Sequence, residues 1–61
     1  GAPLSLDAQR MRDAMSAAAP LPLDALCAKT GLPPPKAMAA LTELELAGFS
    51  RQLAGRQFQL K

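Results

Sequence analysis

Arg51, Arg56 and Lys61 lie in an eleven-residue stretch, RQLAGRQFQLK, that also carries Gln52, Gln57 and Gln59 and holds no acid. Cationic and amide side chains so spaced have one obvious chemistry: the cations meet phosphate oxygens, and the amides hydrogen-bond phosphate or sugar. Lys36 is a further candidate for the same surface. Residues 1 to 50 hold Arg10, Arg12, Lys29 and Lys36 against Asp7, Asp13, Asp24, Glu43 and Glu45, so the net charge of +2 gathers at the C-terminal end. That asymmetry points to an anionic partner. The same three charges also suit a solvated edge strand, where cations discourage unwanted sheet pairing. Contact with about two to four phosphates predicts weak binding that falls with salt at a log–log slope of roughly −2 to −4.

Other chemistries find no residues to carry them. The sequence has no histidine and one cysteine, which excludes an intramolecular disulfide and the usual zinc constellations. Cys27 falls on an apolar helical stripe without a basic neighbour, as a small core hydrophobe does. No nucleophile stands beside a base, no glycine-rich phosphate loop is present, and the carboxylates are scattered along helix faces. The reading is a non-enzymatic domain without cofactor, metal or small-molecule substrate. No apolar run approaches the roughly 18 residues of a membrane span, and a purely hydrophobic core fits a reducing compartment, so a cytoplasmic setting is expected. The chain opens Gly1-Ala2-Pro3, which reads as an excised piece of a longer protein with residues 1–4 flexible or a cloning remnant. The 61 residues are expected to form one domain that buries about 60% of its unfolded surface.

Three helices and a hairpin must position the cationic stretch. Leu4, Ala8, Met11, Met15 and Ala18 recur at helical spacing and predict a first helix over about 6–18, with Ser5 or Asp7 as cap, Pro20 as stop, and Arg10, Arg12 and Asp13 on the outer face. LPLD, residues 21–24, has room only for a bridging strand, because Pro22 lacks the amide of a central one. A second helix over 23–30 turns Leu23, Leu26, Cys27 and Thr30 inward and stops at Gly31. The prolines at 33–35 are tolerated only as a helix opens, so a third helix runs over about 34–47 and ends at Gly48. Met38, Leu41 and Leu44 form its inward stripe, and Leu46 leans toward the hairpin. Glu45 needs a cationic or amide partner, with Arg51 the candidate. Phe49–Leu53 and Arg56–Leu60 read as strands around Ala54-Gly55, with Phe49, Phe58 and Leu60 inward. The fold class is therefore mainly α with a small β wing over 49–60: a winged helix-turn-helix of three helices plus a β-hairpin.

The residues that build this order also carry a likeness. LDAL at the start of the second helix, the TGL turn, the LTELELAGF helix end and the GRQF wing turn together resemble the C-terminal winged-helix domain of the bacterial DNA-processing protein A (DprA) family, over about residues 7–61. That resemblance implies a parent protein of natural transformation, which binds incoming single-stranded DNA through a Rossmann-like domain and helps load RecA. It further implies an appendage whose roles range from supplementary duplex-DNA binding to contacts with its own parent or with a recombination protein such as RecA.

A winged helix docks its third helix in the major groove and its wing on the backbone or minor groove. With Met38 inward, Lys36, Ala39, Ala40, Glu43 and Ala47 point outward. That face offers no Arg, Asn or Gln to read a base edge, and Glu43 meets phosphates unfavourably, so sequence-specific reading is not expected. Without Tyr or Trp, the wing also lacks a platform for stacking unpaired bases. Lys36, Arg51, Gln52, Arg56, Gln57 and Lys61 are the expected DNA-binding residues, for weak and sequence-independent contact with duplex. The alternative is a protein-docking or self-association face of small residues on the third helix, formed by Ala39, Ala40, Glu43 and Ala47, whose ordering costs little side-chain entropy.

Overall fold

Proline and glycine set most of the element boundaries. The computed structural model describes residues 3–61; the N-terminal remnant read at residues 1–4 lies outside them at Gly1 and Ala2, whereas Leu4 is half-buried against the core. Helix α1 spans Leu6–Ala14, strand β1 Leu21–Pro22, helix α2 Leu23–Thr30, helix α3 Pro34–Leu46, strand β2 Ser50–Leu53 and strand β3 Gln57–Leu60. The strands form an antiparallel sheet in the order β1-β3-β2. Pro22 therefore sits on an edge strand, where its missing amide is tolerated. Three helices with a small three-stranded sheet are the winged-helix arrangement that the sequence predicts.

Helix α2 ends where expected, on Gly31 in the left-handed region at φ 77°. The buried Thr30 reinforces that end: its hydroxyl donates to the Leu26 carbonyl at 2.7 Å and accepts from the Leu32 amide at 3.2 Å. Helix α3 opens with Pro34 and Pro35 in its first turn, where amides have no intrahelical acceptor. It closes in a Schellman motif. The Phe49 amide donates to the Leu44 carbonyl at 2.9 Å and the Gly48 amide to the Glu45 carbonyl at 3.1 Å, with Gly48 at φ 85°.

Helix α1 is shorter than its apolar spacing predicts. It stops at Ala14 instead of about 18, and Met15 is already extended at ψ 168°. Ser16 diverts the chain, its hydroxyl accepting from the Ala18 amide at 3.0 Å in a local turn that competes with helix. The sheet then holds the diverted segment: the Leu60 amide donates to the Ser16 carbonyl at 3.1 Å, and the Gln59 side chain donates to the Ala17 carbonyl at 2.8 Å. Met15 remains buried without helical geometry, and Ala18, expected on the inward stripe, is exposed.

The core comprises Ala8, Met11, Met15, Leu26, Leu32, Ala37, Ala40, Leu41, Leu44 and Phe58. Helix α3 is rotated relative to its expected inward stripe. Ala37 and Ala40 join Leu41 and Leu44 inside, and Met38 is only half-buried. Ala40, assigned to an exposed docking face, is 2% exposed and belongs to the core. Leu46 does not lean toward the hairpin but stands 85% exposed. Phe49 is likewise not an inward strand residue; it is 42% exposed, and Ser50 takes the buried place at 1%. The Schellman cap explains the change, because it uses Phe49 to close the helix and starts the in-and-out alternation one residue later. The buried Ser50 hydroxyl has no hydrogen-bond partner, and nothing in the structure explains why a hydroxyl stands there.

Glu43 ties α1 to α3. Its carboxylate accepts from the Ser5 amide at 2.8 Å and from the Ser5 hydroxyl at 2.7 Å, while that hydroxyl accepts from the Ala8 amide at 3.1 Å. Ser5 is thus the N-cap of α1, and Glu43 supplies from another helix the acceptor that a capping-box glutamate supplies from its own. The backbone donor of Ser5 first, and its hydroxyl second, hold the Glu43 carboxyl below its ordinary value of 4.5. A carboxyl with a lowered folded-state pKa stabilises the fold fully above its unfolded value and loses that contribution as pH falls through the folded one. Wild type should therefore melt higher than Glu43→Gln at neutral pH, with the gap closing as acid takes the pH below about 4.5. A gap unchanged between neutral and strongly acidic pH would show that the charge contributes nothing.

Candidate nucleic-acid interface

The pairing of β2 with β3 decides which wing residues share a face. Arg51 pairs with Gln59, Gln52 with Phe58, and Leu53 with Gln57. Cross-strand partners lie on one side of the sheet and alternate residues on opposite sides. Arg51, Gln57 and Gln59 therefore occupy the outer face, whereas Gln52 falls on the side of the buried Phe58 and is nevertheless exposed. Arg51 and Gln59 are in contact, the guanidinium donating to the amide oxygen at 3.3 Å. Since the Gln59 side chain also donates to Ala17, it anchors the wing to the segment after α1. Arg51 consequently does not serve Glu45, as the sequence led us to expect; Glu45 is exposed on α3.

The hairpin turn differs from its expected form. Leu53 pairs with Gln57, so the loop holds three residues, Ala54, Gly55 and Arg56, and Arg56 belongs to the tip instead of opening a strand. Gly55 lies at φ 77° and Arg56 at φ 56°. Positive φ is ordinary for glycine but costs a residue with a Cβ of the order of 1 kcal/mol. Arg56 is the one described non-glycine residue in that region, and its side chain is exposed at the apex of the wing.

Arg51, Gln52, Arg56 and Lys61 are all exposed, and Gln57 is half-buried. From Arg56 at the tip to Lys61 after β3, the cations follow the hairpin for about 16 Å at roughly 3.3 Å per residue. Lys36 is exposed too, but in the first turn of α3, on a different element. Sequence spacing did not reveal that Gly55 and Arg56 line a shallow depression with Pro22, Leu23 and Asp24 at the start of α2. Asp24 thus brings an acid to the neighbourhood of the tip and tempers its potential.

The exposed side of α3 includes Lys36, Ala39, Thr42 and Ala47. Thr42 and Glu45 are hydrogen-bonding side chains there that the helical phase taken from the sequence did not place outward. Glu43, counted with the outward residues, is half-buried and committed to Ser5. Of the expected docking face of Ala39, Ala40, Glu43 and Ala47, only Ala39 and Ala47 are therefore free surface. Among the described residues, no group of three or more histidine, cysteine or carboxylate side chains is placed to hold a metal ion, and no helix is long and apolar enough to cross a membrane.

The family model described as the DprA winged helix domain matches residues 1–56. No curated protein and no solved structure matches the chain.

Proposed function

Because this chain belongs to the DprA winged helix domain family, we propose that it is an auxiliary, non-catalytic domain of a DNA-processing, recombination-mediator protein, and that its wing gives weak, sequence-independent binding to duplex DNA. The observation that carries this reading is the wing itself. Three exposed cations follow one hairpin in a stretch without acids, and Arg56 holds the apex at φ 56°, a place where glycine would be easier. Backbone strain that presents a charged side chain to solvent is more readily understood as serving a contact than as serving the fold.

The surface of α3 supports backbone contact over base reading. Lys36 can reach phosphate, but no exposed Arg, Asn or Gln on that helix offers the donor pattern that distinguishes guanine or adenine. Binding then rests on a handful of phosphates and is screened accordingly. A cytoplasmic setting, with the rest of the parent protein and RecA nearby, follows from the same reading.

Protein contact without DNA is the second reading, and one observation favours it: Leu46 and Phe49 are large apolar side chains left in solvent. On this reading the docking surface is the C-terminal end of α3 instead of an alanine face.

Amide-shift NMR titration with a short DNA duplex, at low and at physiological salt, tests the first reading. Shifts at Lys36, Arg51, Gln52, Arg56, Gln57 and Lys61 that shrink with salt are expected. Silence at these residues at low salt would overturn it.

A further inference from the structure

Away from the wing, α1 and α3 form a second surface of different chemistry. Ser5 at the start of α1 meets Glu43 of α3, and Arg12 near the end of α1 meets Phe49, which follows the cap of α3. Between them lies an open groove of about 740 Å³, lined among others by Leu4, Gln9, Arg12, Leu46, Ala47 and Phe49. Leu46 is 85% exposed and Phe49 is the other large apolar side chain left in solvent there.

The polar groups of the groove are unequal. Glu43, which also lines it, already accepts both donors of Ser5. Arg12, by contrast, lies over the Phe49 ring with its guanidinium carbon 5.3 Å from the centroid, so aromatic carbon, not a carboxylate, is its neighbour. Such stacking holds the guanidinium over the ring while leaving its in-plane donors able to meet an incoming acceptor. The Schellman bonds at Gly48 and Phe49 fix the backbone beneath that ring. An apolar trough with one preset cation is thus ready before any partner arrives.

Resting on the protein-contact reading of this end of α3, we propose that the groove docks a short amphipathic helix of a partner protein, bringing leucine-type side chains against Leu46 and Phe49 and a carboxylate to Arg12. Size favours a short segment over a second copy of the chain. A stable interface takes about 20 to 30 residues from each partner, whereas eight residues line the groove. A helix laid into a trough engages it through a few anchors at i, i+3, i+4 and i+7.

A random twelve-residue peptide library, displayed on phage and panned against the 61-residue chain, tests the proposal whatever protein supplies the helix. Enriched peptides should combine Leu, Ile or Phe at helical spacing with Asp or Glu. Their affinity should drop at least about tenfold on Leu46→Asp and on Arg12→Glu, both checked for an unchanged circular dichroism spectrum. On the wild-type chain the peptides should shift the amides of Arg12, Leu46, Ala47 and Phe49, leaving Arg51 and Arg56 still. Enrichment of basic or unrelated peptides, equal binding to the variants, shifts elsewhere, or no enrichment would each overturn it. So would sedimentation showing a dimer whose formation moves these same amides, because a second copy would then be the occupant.

Discussion

Leu41→Ala should remove a large share of the domain's stability. Leu41 is 2% exposed and sits in α3 between the other buried residues Ala37, Ala40 and Leu44. Truncating it removes transfer free energy and leaves a cavity, at a cost of about 2 to 5 kcal/mol. A domain of this length has about 3 to 9 kcal/mol in total, and with one cysteine it has no intramolecular disulfide to supplement its core. Each kcal/mol lowers the melting temperature of so small a domain by about 4 to 8 °C, so even the mild end of the range is a loss of about 8 °C or more. Leu46→Ala is the matched control on the same helix. With that side chain 85% exposed, stability should change by no more than about 0.5 kcal/mol. Thermal melts followed by circular dichroism distinguish the two, and equal melting points would mean that α3 buries a different face.

The parts of this fold legible in the sequence are those fixed by local chemistry. Pro34, Gly31 and Gly48 place the ends of α2 and α3 because the restrictions on proline and the left-handed freedom of glycine act on the residue itself. The end of α1 is decided from far away, by Gln59 and Leu60 bonding to Ala17 and Ser16. An alanine-rich run that spacing alone extends to residue 18 therefore breaks at 14. The phase of α3 is hard to read for a related reason. Side-chain size favours Met38 for the interior, yet burying Ala37 and Ala40 lets a neighbouring element approach the backbone closely, which only the assembled packing rewards.

The candidate sites divide in the same way. Exposure of Arg51, Arg56 and Lys61 follows from the cost of burying a cation, so the wing cations are visible in the sequence. Left-handed geometry at Arg56 is not, because it depends on the Leu53–Gln57 register and a three-residue turn. Nor is the commitment of Glu43, whose partner Ser5 lies 38 residues away. The groove between α1 and α3 rests on that long-range clasp and on the Schellman cap that turns Phe49 outward. Misplacing Phe49 by one position in the alternation hides the groove from any reading of the strand pattern.

Replacing both Arg51 and Arg56 with Glu should abolish duplex binding while sparing the fold. Both side chains are exposed, and the Arg51 bond to Gln59 is a solvent-facing contact of 3.3 Å, so stability should move by no more than about 0.5 kcal/mol. Arg56→Glu keeps a Cβ at the same positive φ and neither relieves nor adds backbone strain. Binding, by contrast, loses two phosphate contacts and gains two repulsive charges on the same hairpin. An affinity resting on about two to four phosphates cannot survive that, and any residual binding should show a salt slope shallower by about 2. Two duplexes of unrelated sequence should lose affinity equally, since the contacts are to the backbone. Fluorescence anisotropy at low salt, where the wild-type signal is largest, reads all three effects. Lys36→Glu is read on the wild-type background, where a smaller loss of affinity places the first turn of α3 beside the phosphates. Undiminished binding by the Arg51→Glu, Arg56→Glu protein would remove the wing from the interface, and sequence-dependent loss would return base reading to α3 through Thr42 and Lys36.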